Sequence, residues 1–244
     1  MPTVLLVRHG RTSANTAGVL AGRSPGVELD DVGRKQAVEL GERMAGVPLA
    51  AVVTSPLRRC RQTAQALLAG RAEPVPTSTD TGLIECGYGE WTGRTLKELS
   101  KEKLWRTVQQ QPSAVRFPGG ESMTEMAARA VGAIRRWDDQ LAAAHGADAV
   151  WVAVSHGDVI KAILADALGT HLDTFQRILI NPASVSVVRY TPARPYVVTM
   201  NSSGADLPGL FPPGRPGPKR ARRSRTASDD APVGGGLGAD DPGP

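Results

Sequence analysis

Two stretches of this 244-residue chain place an imidazole directly after an apolar run: TVLLV leads into Arg8-His9-Gly10, and WVAV leads into Ser155-His156-Gly157. A third run, AAVVT, ends in Ser55-Pro56 and is followed by Arg58, Arg59 and Arg61. Two histidines and several arginines can form a pocket for a dianion such as a phosphoryl group, because guanidinium groups and helix N-termini both favour concentrated negative charge. One imidazole can then act as a nucleophile if its attacking nitrogen is neutral, and neighbouring arginines favour that state by lowering its pKa. The leaving oxygen needs a proton from a carboxylic acid whose pKa is raised. The glycine-rich stretch LIECGYGEWTG holds two candidates, Glu85 and Glu90, and spacing does not choose between them. Gly10 would let backbone N–H groups approach an anion.

These groups converge only if the three runs are neighbouring strands of one parallel sheet. The runs lack polar alternation, as expected of strands covered by helices on both faces. Ligands of open α/β sheets sit at the carboxyl ends of the strands, where both histidines fall. Strands are expected at Thr3 to Val7, Ala50 to Thr54, about Glu73 to Thr77, Trp151 to Val154, Ser184 to Tyr190 and Tyr196 to Met200. Helices are expected from Asp31 to about Ala45 with Asp30 as N-cap, and from Pro56 with Ser55 as N-cap. Others are expected over Leu96 to Gln111 up to Pro112, from Ser122 with Glu125 completing a capping box to about Ala144, and over Asp158 to Leu168. Asn15 to Val27 reads as a loop containing Arg23, which either lines the pocket or faces solvent.

Hydrophobic residues make up 41% of the chain, and no apolar run approaches the roughly 20 residues that cross a bilayer. The opening MPTVLLVRHG meets an arginine too early for a secretory signal, so a cytoplasmic location is expected. The net charge of +5 is uneven, since residues 208–244 carry six Lys/Arg and four Asp and leave +3 on the body. That modest excess suits a small anionic substrate without nucleic acid. Cys60 and Cys86 form no CxxC pair, and no metal or other cofactor is expected. From Ser202 onward the composition is too poor in apolar side chains to offset ordering entropy, and a disordered tail is expected.

LVRHGRTSAN, SPLRRCRQTA, LIECGYGEWTG, FPGGES and VSHGDVIK together resemble the histidine phosphatase superfamily, the phosphoglycerate mutase-like proteins. RHG alone is a weak signal, whereas its recurrence with SPLxR, the glutamate loop and SHG in this order is specific. The resemblance implies a three-layer α/β/α sandwich around a mixed, mostly parallel central sheet, with residues 1–201 as the catalytic domain, a cap insertion at about 86–120, and 202–244 as the tail. It implies that His9 becomes phosphorylated and is then dephosphorylated by water. Arg8, Arg59 and His156 would hold the phosphoryl oxygens, and Glu85 takes the acid/base position. Asn15 would add a hydrogen bond and, with Gly10, Arg23 and Gly157, completes the expected substrate-binding set.

The expected activity is phosphomonoester hydrolysis of a small phosphorylated metabolite. A phosphoglycerate mutase-type phosphomutase is the alternative within the same chemistry, and a non-catalytic phosphate- or polyanion-binding domain is the alternative outside it. Arg11 stands where this superfamily commonly has glutamate. The segment after Glu85 lacks the long arginine-paired stretch associated with the glycolytic mutases, although Arg94, Lys97, Lys101, Lys103 and Arg106 could serve another anionic substrate. His145 and His171 read as surface residues near helix ends. The run Val185 to Val188 reads as an edge strand through which a homodimer could form.

Overall fold

The computed structural model describes residues 2–204, so all of the expected tail beyond Gly204 lies outside the described residues. Six strands form one sheet: β1 (Thr3–Arg8), β2 (Ala51–Thr54), β3 (Thr77–Thr79), β4 (Val150–Ser155), β5 (Val185–Tyr190) and β6 (Pro195–Ser202). Their order is β3-β2-β4-β1-β5-β6. The first four run parallel, and β5 and β6 are antiparallel to their neighbours. The sheet is therefore mixed and mostly parallel, as expected, and the three motif-bearing strands are adjacent. Arg8 pairs with Ser155 and Thr54 with Val154, which sets the three strand ends side by side.

Side chains alternate between two cores, since successive strand residues point to opposite faces. Val4, Leu6, Trp151, Ala153 and Val188 pack with α6 (Met123–His145) and α7 (Gly157–Ala167). Leu5, Val7, Val52, Val152 and Val154 pack with α2 (Asp31–Arg43) and α3 (Arg58–Leu68). Both faces are covered, which is why these strands read as unbroken apolar runs.

Helix starts follow side-chain caps where the sequence supplies them. Asp30 accepts from the Gly33 N–H to start α2, and Ser122 with Glu125 forms the expected capping box of α6. A short helix α1 (Ser13–Thr16) interrupts the expected loop, built on a capping box between Thr12 and Asn15. Helix α3 begins at Arg58 instead of Pro56. The Ser55 hydroxyl is engaged by His156 Nε2 at 2.8 Å and meets the Leu57 N–H only at 3.4 Å, so Leu57 precedes the helix without a side-chain cap.

The expected helix 96–111 is two pieces, α4 (Leu96–Leu99) and α5 (Lys103–Gln110). A capping box of Thr95 and Glu98 starts the first, which ends after one turn at Ser100. Between Cys86 and Gly120 the chain packs Trp91, Leu99, Val108 and Phe117 against the α6/α7 core, with Trp91 stacked on Trp105. The third strand lies at Thr77–Thr79, four residues beyond its expected start, paired with β2.

Two further expectations are corrected. Val185 to Val188 lie in β5, hydrogen-bonded on both sides by β1 and β6, so they are not an edge. The edges are β3 and β6. Strand β6 also runs through Ser202, whose carbonyl and hydroxyl accept from Arg43, so the folded unit extends past the boundary expected at 201. No helix among the described residues is long and apolar enough to cross a membrane.

Candidate active site

The three strand ends meet where β1, β2 and β4 give way to loops. Arg8 is the last residue of β1 and falls on the α6/α7 face, fully buried, with Nη1 donating to the Ile180 carbonyl at 2.7 Å. Burial lowers its pKa to about 10, so it stays a cation at neutral pH, and Glu85 and Asp158 both act on it as opposing charges.

His9 follows on the other side. Its Nδ1 lies 2.7 Å from the Gly10 carbonyl, a pure acceptor, so Nδ1 carries the proton and Nε2 keeps its lone pair. Arg59 Nε, 3.3 Å away, donates to that Nε2. Burial first, then the charges of Arg59 and Arg8, hold the His9 pKa well below its ordinary value, and the ring is neutral. Gly10 serves differently from expectation. Its N–H donates to Thr63 Oγ1 at 3.1 Å, and a Cβ there would come within 2.4 Å of the Gly33 carbonyl oxygen. The missing side chain lets α2 approach the strand end, and the amide is committed to α3.

Arg59 lies in the first turn of α3, buried, and is the hub of the site. Besides His9 it reaches the Gly22 carbonyl at 2.8 Å and His156 Nδ1 at 3.2 Å, both through Nη2. Its Nη1 is buried with no hydrogen-bond partner among the described residues. A buried guanidinium donor left unpaired is costly, and an incoming anion would satisfy it. Arg58 instead pairs with Glu28 at an exposed site.

His156 precedes α7 and is fully buried. Because Arg59 can only donate, His156 Nδ1 accepts and Nε2 carries the proton toward Ser55 Oγ. Burial, followed by Arg59, lowers its pKa well below the usual value. The two rings meet edge to face with centroids 5.3 Å apart. Gly157 is the first residue of α7, directly behind this imidazole.

Glu85 is buried, with Oε1 accepting from the Cys86 N–H at 2.9 Å and Oε2 3.9 Å from His156 Nδ1. Burial raises its pKa to about 7, with Asp158 adding to the rise and Arg59 and Arg8 opposing it. A substantial fraction is therefore the neutral acid at physiological pH. Glu90, the other candidate in that stretch, is exposed on a 3-10 turn. Cys60 and Cys86 are free and buried.

A cleft open to solvent is lined by His9, Arg59 and Glu85. Its walls come from Thr12, Ala14, Asn15, Val19, Leu20 and Leu96, among others. Asn15 Oδ1 accepts from the Thr12 N–H and hydroxyl, which leaves its NH₂ as the free polar end. Arg23 is not part of this lining. It turns behind the acid loop, where Nε donates to the Glu85 carbonyl at 2.8 Å and Nη2 pairs with Glu121. Arg129 makes the matching contacts from α6, to the same carbonyl at 3.1 Å and to Glu121 at 2.7 Å. Arg11 is likewise turned away, paired with Asp30 at 2.9 Å. Of the basic residues after Glu85, Arg94 pairs with Glu102, and none lines the cleft.

Sequence reasoning passed over Ser55 as a partner of His156, Thr63 as a partner of Gly10, and the whole group Tyr88, Asp158 and Lys161. The first two sit in the SPLRRCRQTA stretch and were legible only as helix residues. Of the last three, Asp158 and Lys161 lie one turn apart on α7 and Tyr88 comes from the glutamate loop 70 residues earlier, so no local pattern joins them.

A family model described as histidine phosphatase superfamily (branch 1) matches residues 4–203. Glucosyl-3-phosphoglycerate phosphatase of Mycolicibacterium vanbaalenii is 33% identical over 175 residues, covering 70% of this chain and 76% of that protein. A 2,3-bisphosphoglycerate-dependent phosphoglycerate mutase from Gloeobacter violaceus is 31% identical over 169 residues, covering 68% of this chain and 75% of that one. Among solved structures, Bacillus stearothermophilus YhfR superimposes with a TM-score of 0.75 at 27% identity, covering 83% of this chain and 98% of its own.

Proposed function

The chain belongs to the histidine phosphatase superfamily, and from that membership we propose a phosphatase that transfers the phosphoryl group of a small monoester to His9 and then to water. One observation carries the residue roles. A neutral imidazole, its proton on Nδ1 and its Nε2 accepting from Arg59, lines the same cleft as a buried carboxyl raised to about 7.

In the first step the phosphoryl oxygens take the donors of Arg59, including the unpaired Nη1, with the Arg8 cation adding to the positive surround and the neutral His156 holding Arg59 through Nδ1. His9 Nε2 attacks phosphorus, the P–O bond to the leaving group breaks, and Glu85 gives its proton to that oxygen. In the second step water attacks the phosphohistidine, the Glu85 carboxylate takes a proton from the water, and the N–P bond breaks to release phosphate. Glu85 ends protonated and His9 neutral, as they began. The proton of His9 stays on Nδ1 throughout, donated to the Gly10 carbonyl, whose oxygen offsets the positive charge the ring gains on phosphorylation.

The walls bear on phosphatase against mutase. Beyond the catalytic base the lining holds no arginine, lysine or carboxylate: Ala14, Val19, Leu20 and Leu96 are apolar, and Asn15 and Thr12 are neutral. A mutase must hold an anionic product long enough to return the phosphoryl group to it, and these walls supply no cation for that. The proposed substrate is a monoester with an uncharged leaving group. The test is phosphate release from an aryl phosphate in excess EDTA by the intact protein and by His9→Ala. Turnover that survives EDTA and disappears in the variant is expected, together with an acid-labile phosphoryl label on the parent. Equal turnover by both proteins would remove His9 from the mechanism.

A further inference from the structure

Behind the acid, two arginines that take no part in the two-step reaction converge on one backbone oxygen. The Glu85 carbonyl accepts from Arg23 Nε at 2.8 Å and from Arg129 Nη2 at 3.1 Å. A carbonyl oxygen has two lone pairs, and cations take both of them here. Glu121 yokes the two side chains, pairing with Arg23 through Oε2 and with Arg129 through Oε1. This yoke is anchored in turn. Arg129 Nη1 donates to the Gly82 carbonyl at 2.8 Å, and the Glu121 N–H donates to the Gly87 carbonyl at 2.9 Å. Gly120 lets the turn before Glu121 lie against the acid loop, since a Cβ there would come within 2.1 Å of the Gly87 carbonyl oxygen.

The gripped oxygen belongs to the same peptide unit as the Cys86 N–H, which donates to Glu85 Oε1 at 2.9 Å. That unit is planar and trans, so its C=O and N–H point in opposite directions, and fixing one aims the other. The guanidinium charges also polarise the amide and strengthen the bond that its N–H makes to the carboxyl. With Oε1 taken by the amide, Oε2 is the oxygen left to carry the proton, and it lies 3.9 Å from His156 Nδ1. Arg23 follows Gly22, whose carbonyl accepts from Arg59 at 2.8 Å, so one loop braces both the phosphoryl-binding arginine and the acid. Folding alone gives weak reason for the arrangement: the Arg23 side chain is 40% exposed, and ion pairs so placed add little to stability.

We propose that Arg23 and Arg129, yoked by Glu121, are positioning residues for the acid: by holding the carbonyl of the 85–86 peptide they aim its N–H at the Glu85 carboxyl and fix that carboxyl in the cleft. This rests on Glu85 being the acid of the phosphatase reading above.

The test reads the first step alone, as the rate of His9 phosphorylation by rapid quench at saturating substrate. An alkyl phosphate leaves as an alkoxide and needs the proton, whereas 4-nitrophenyl phosphate leaves as a stabilised phenolate and needs it little. Arg23→Ala should slow phosphorylation by the alkyl phosphate about tenfold to a hundredfold, the scale of a group displaced by about 1 Å, with a change of about twofold or less on 4-nitrophenyl phosphate. Glu121→Gln, which removes the charge that yokes the two arginines, should show the same split and provides a second variant if one of them folds poorly. In a Glu85→Gln background Arg23→Ala should slow the alkyl reaction no further, because a residue that acts through the acid has nothing left to position. Equal slowing on both substrates would overturn the proposal, and so would parent-like alkyl rates in both Arg23→Ala and Glu121→Gln. A full additional loss in the Glu85→Gln background would overturn it as well. Parent-like phosphorylation by the alkyl phosphate in Glu85→Gln alone would sink the acid assignment itself, and the proposal with it.

Discussion

The two strand–His–Gly corners are built alike on neighbouring parallel strands, with Arg8 opposite Ser155, yet their imidazoles end in different states. His9 is held at Nδ1 by the carbonyl of the residue next to it and accepts from Arg59 at Nε2, and it lines the cleft. His156 is fixed at both, by Ser55 Oγ from the end of β2 and by Arg59 from α3, and it does not reach the lining. The same three-residue pattern therefore provides one imidazole that reaches the cleft and one buried away from it. What separates them is position and tautomer: His9 carries its proton on Nδ1 and keeps the Nε2 lone pair, whereas His156 carries its proton on Nε2 toward Ser55.

Replacing each ring in turn should break this asymmetry most visibly. His9→Ala should lower kcat on the order of a thousandfold or more and abolish the phosphoryl label. His156→Ala should cost about 10² to 10³, the scale for a lost charge-stabilising group, while a slow label on His9 remains detectable by rapid quench.

Next in size is the glycine of the reactive corner. A methyl group at residue 10 would sit 2.4 Å from the Gly33 carbonyl oxygen, a backbone atom that can yield only if α2 moves. Gly10→Ala should lower stability by about 1–3 kcal/mol in urea titrations, and activity should fall further than stability because the His9 ring is held by the same residue. An unchanged urea midpoint would mean that α2 is not seated against the corner as described.

A smaller effect should sharpen the contrast from the other side. Ser55→Ala frees His156 Nε2 and should reduce kcat by about tenfold, the worth of one buried hydrogen bond, with little change in KM. If KM alone rose, His156 would be a binding group for the ground state and not for the transition state.

The smallest effect concerns stability. The folded value for Glu85, about 7, lies above the ordinary 4.5, so the folded protein holds this proton more tightly than the unfolded chain. Its contribution is fully present below about 4.5 and is lost as pH rises through about 7. Glu85→Gln should therefore have a Tm close to the parent at low pH and a higher one at pH 8, read by calorimetry. The same proton sets the activity of the parent, which should decline above about pH 7 as the acid ionises.

Much of this was legible in the chain as written. Strands buried on both faces show as apolar runs without alternation, and strand ends followed by His-Gly mark where ligands gather. Caps with side-chain acceptors, Asp30 and Ser122, fixed their helix starts because a local hydrogen bond decides them. Ser55 misled for the same reason: it has the right chemistry for a cap, but a histidine a hundred residues away takes its hydroxyl. Arg23 reads as a pocket residue until the Glu85 carbonyl and Glu121 are seen to hold it behind the loop.

The sequence alone determined which groups could react, the strands that carry them and the family to which the pattern belongs, because period and local caps act over a few residues. Only the tertiary structure decided which histidine reaches the cleft, why Gly10 must be glycine, and how the carboxyl of Glu85 keeps its proton among arginines. Those outcomes depend on burial and on charges brought together from β1, α3 and α7, and desolvation has no signature in the order of residues along a chain.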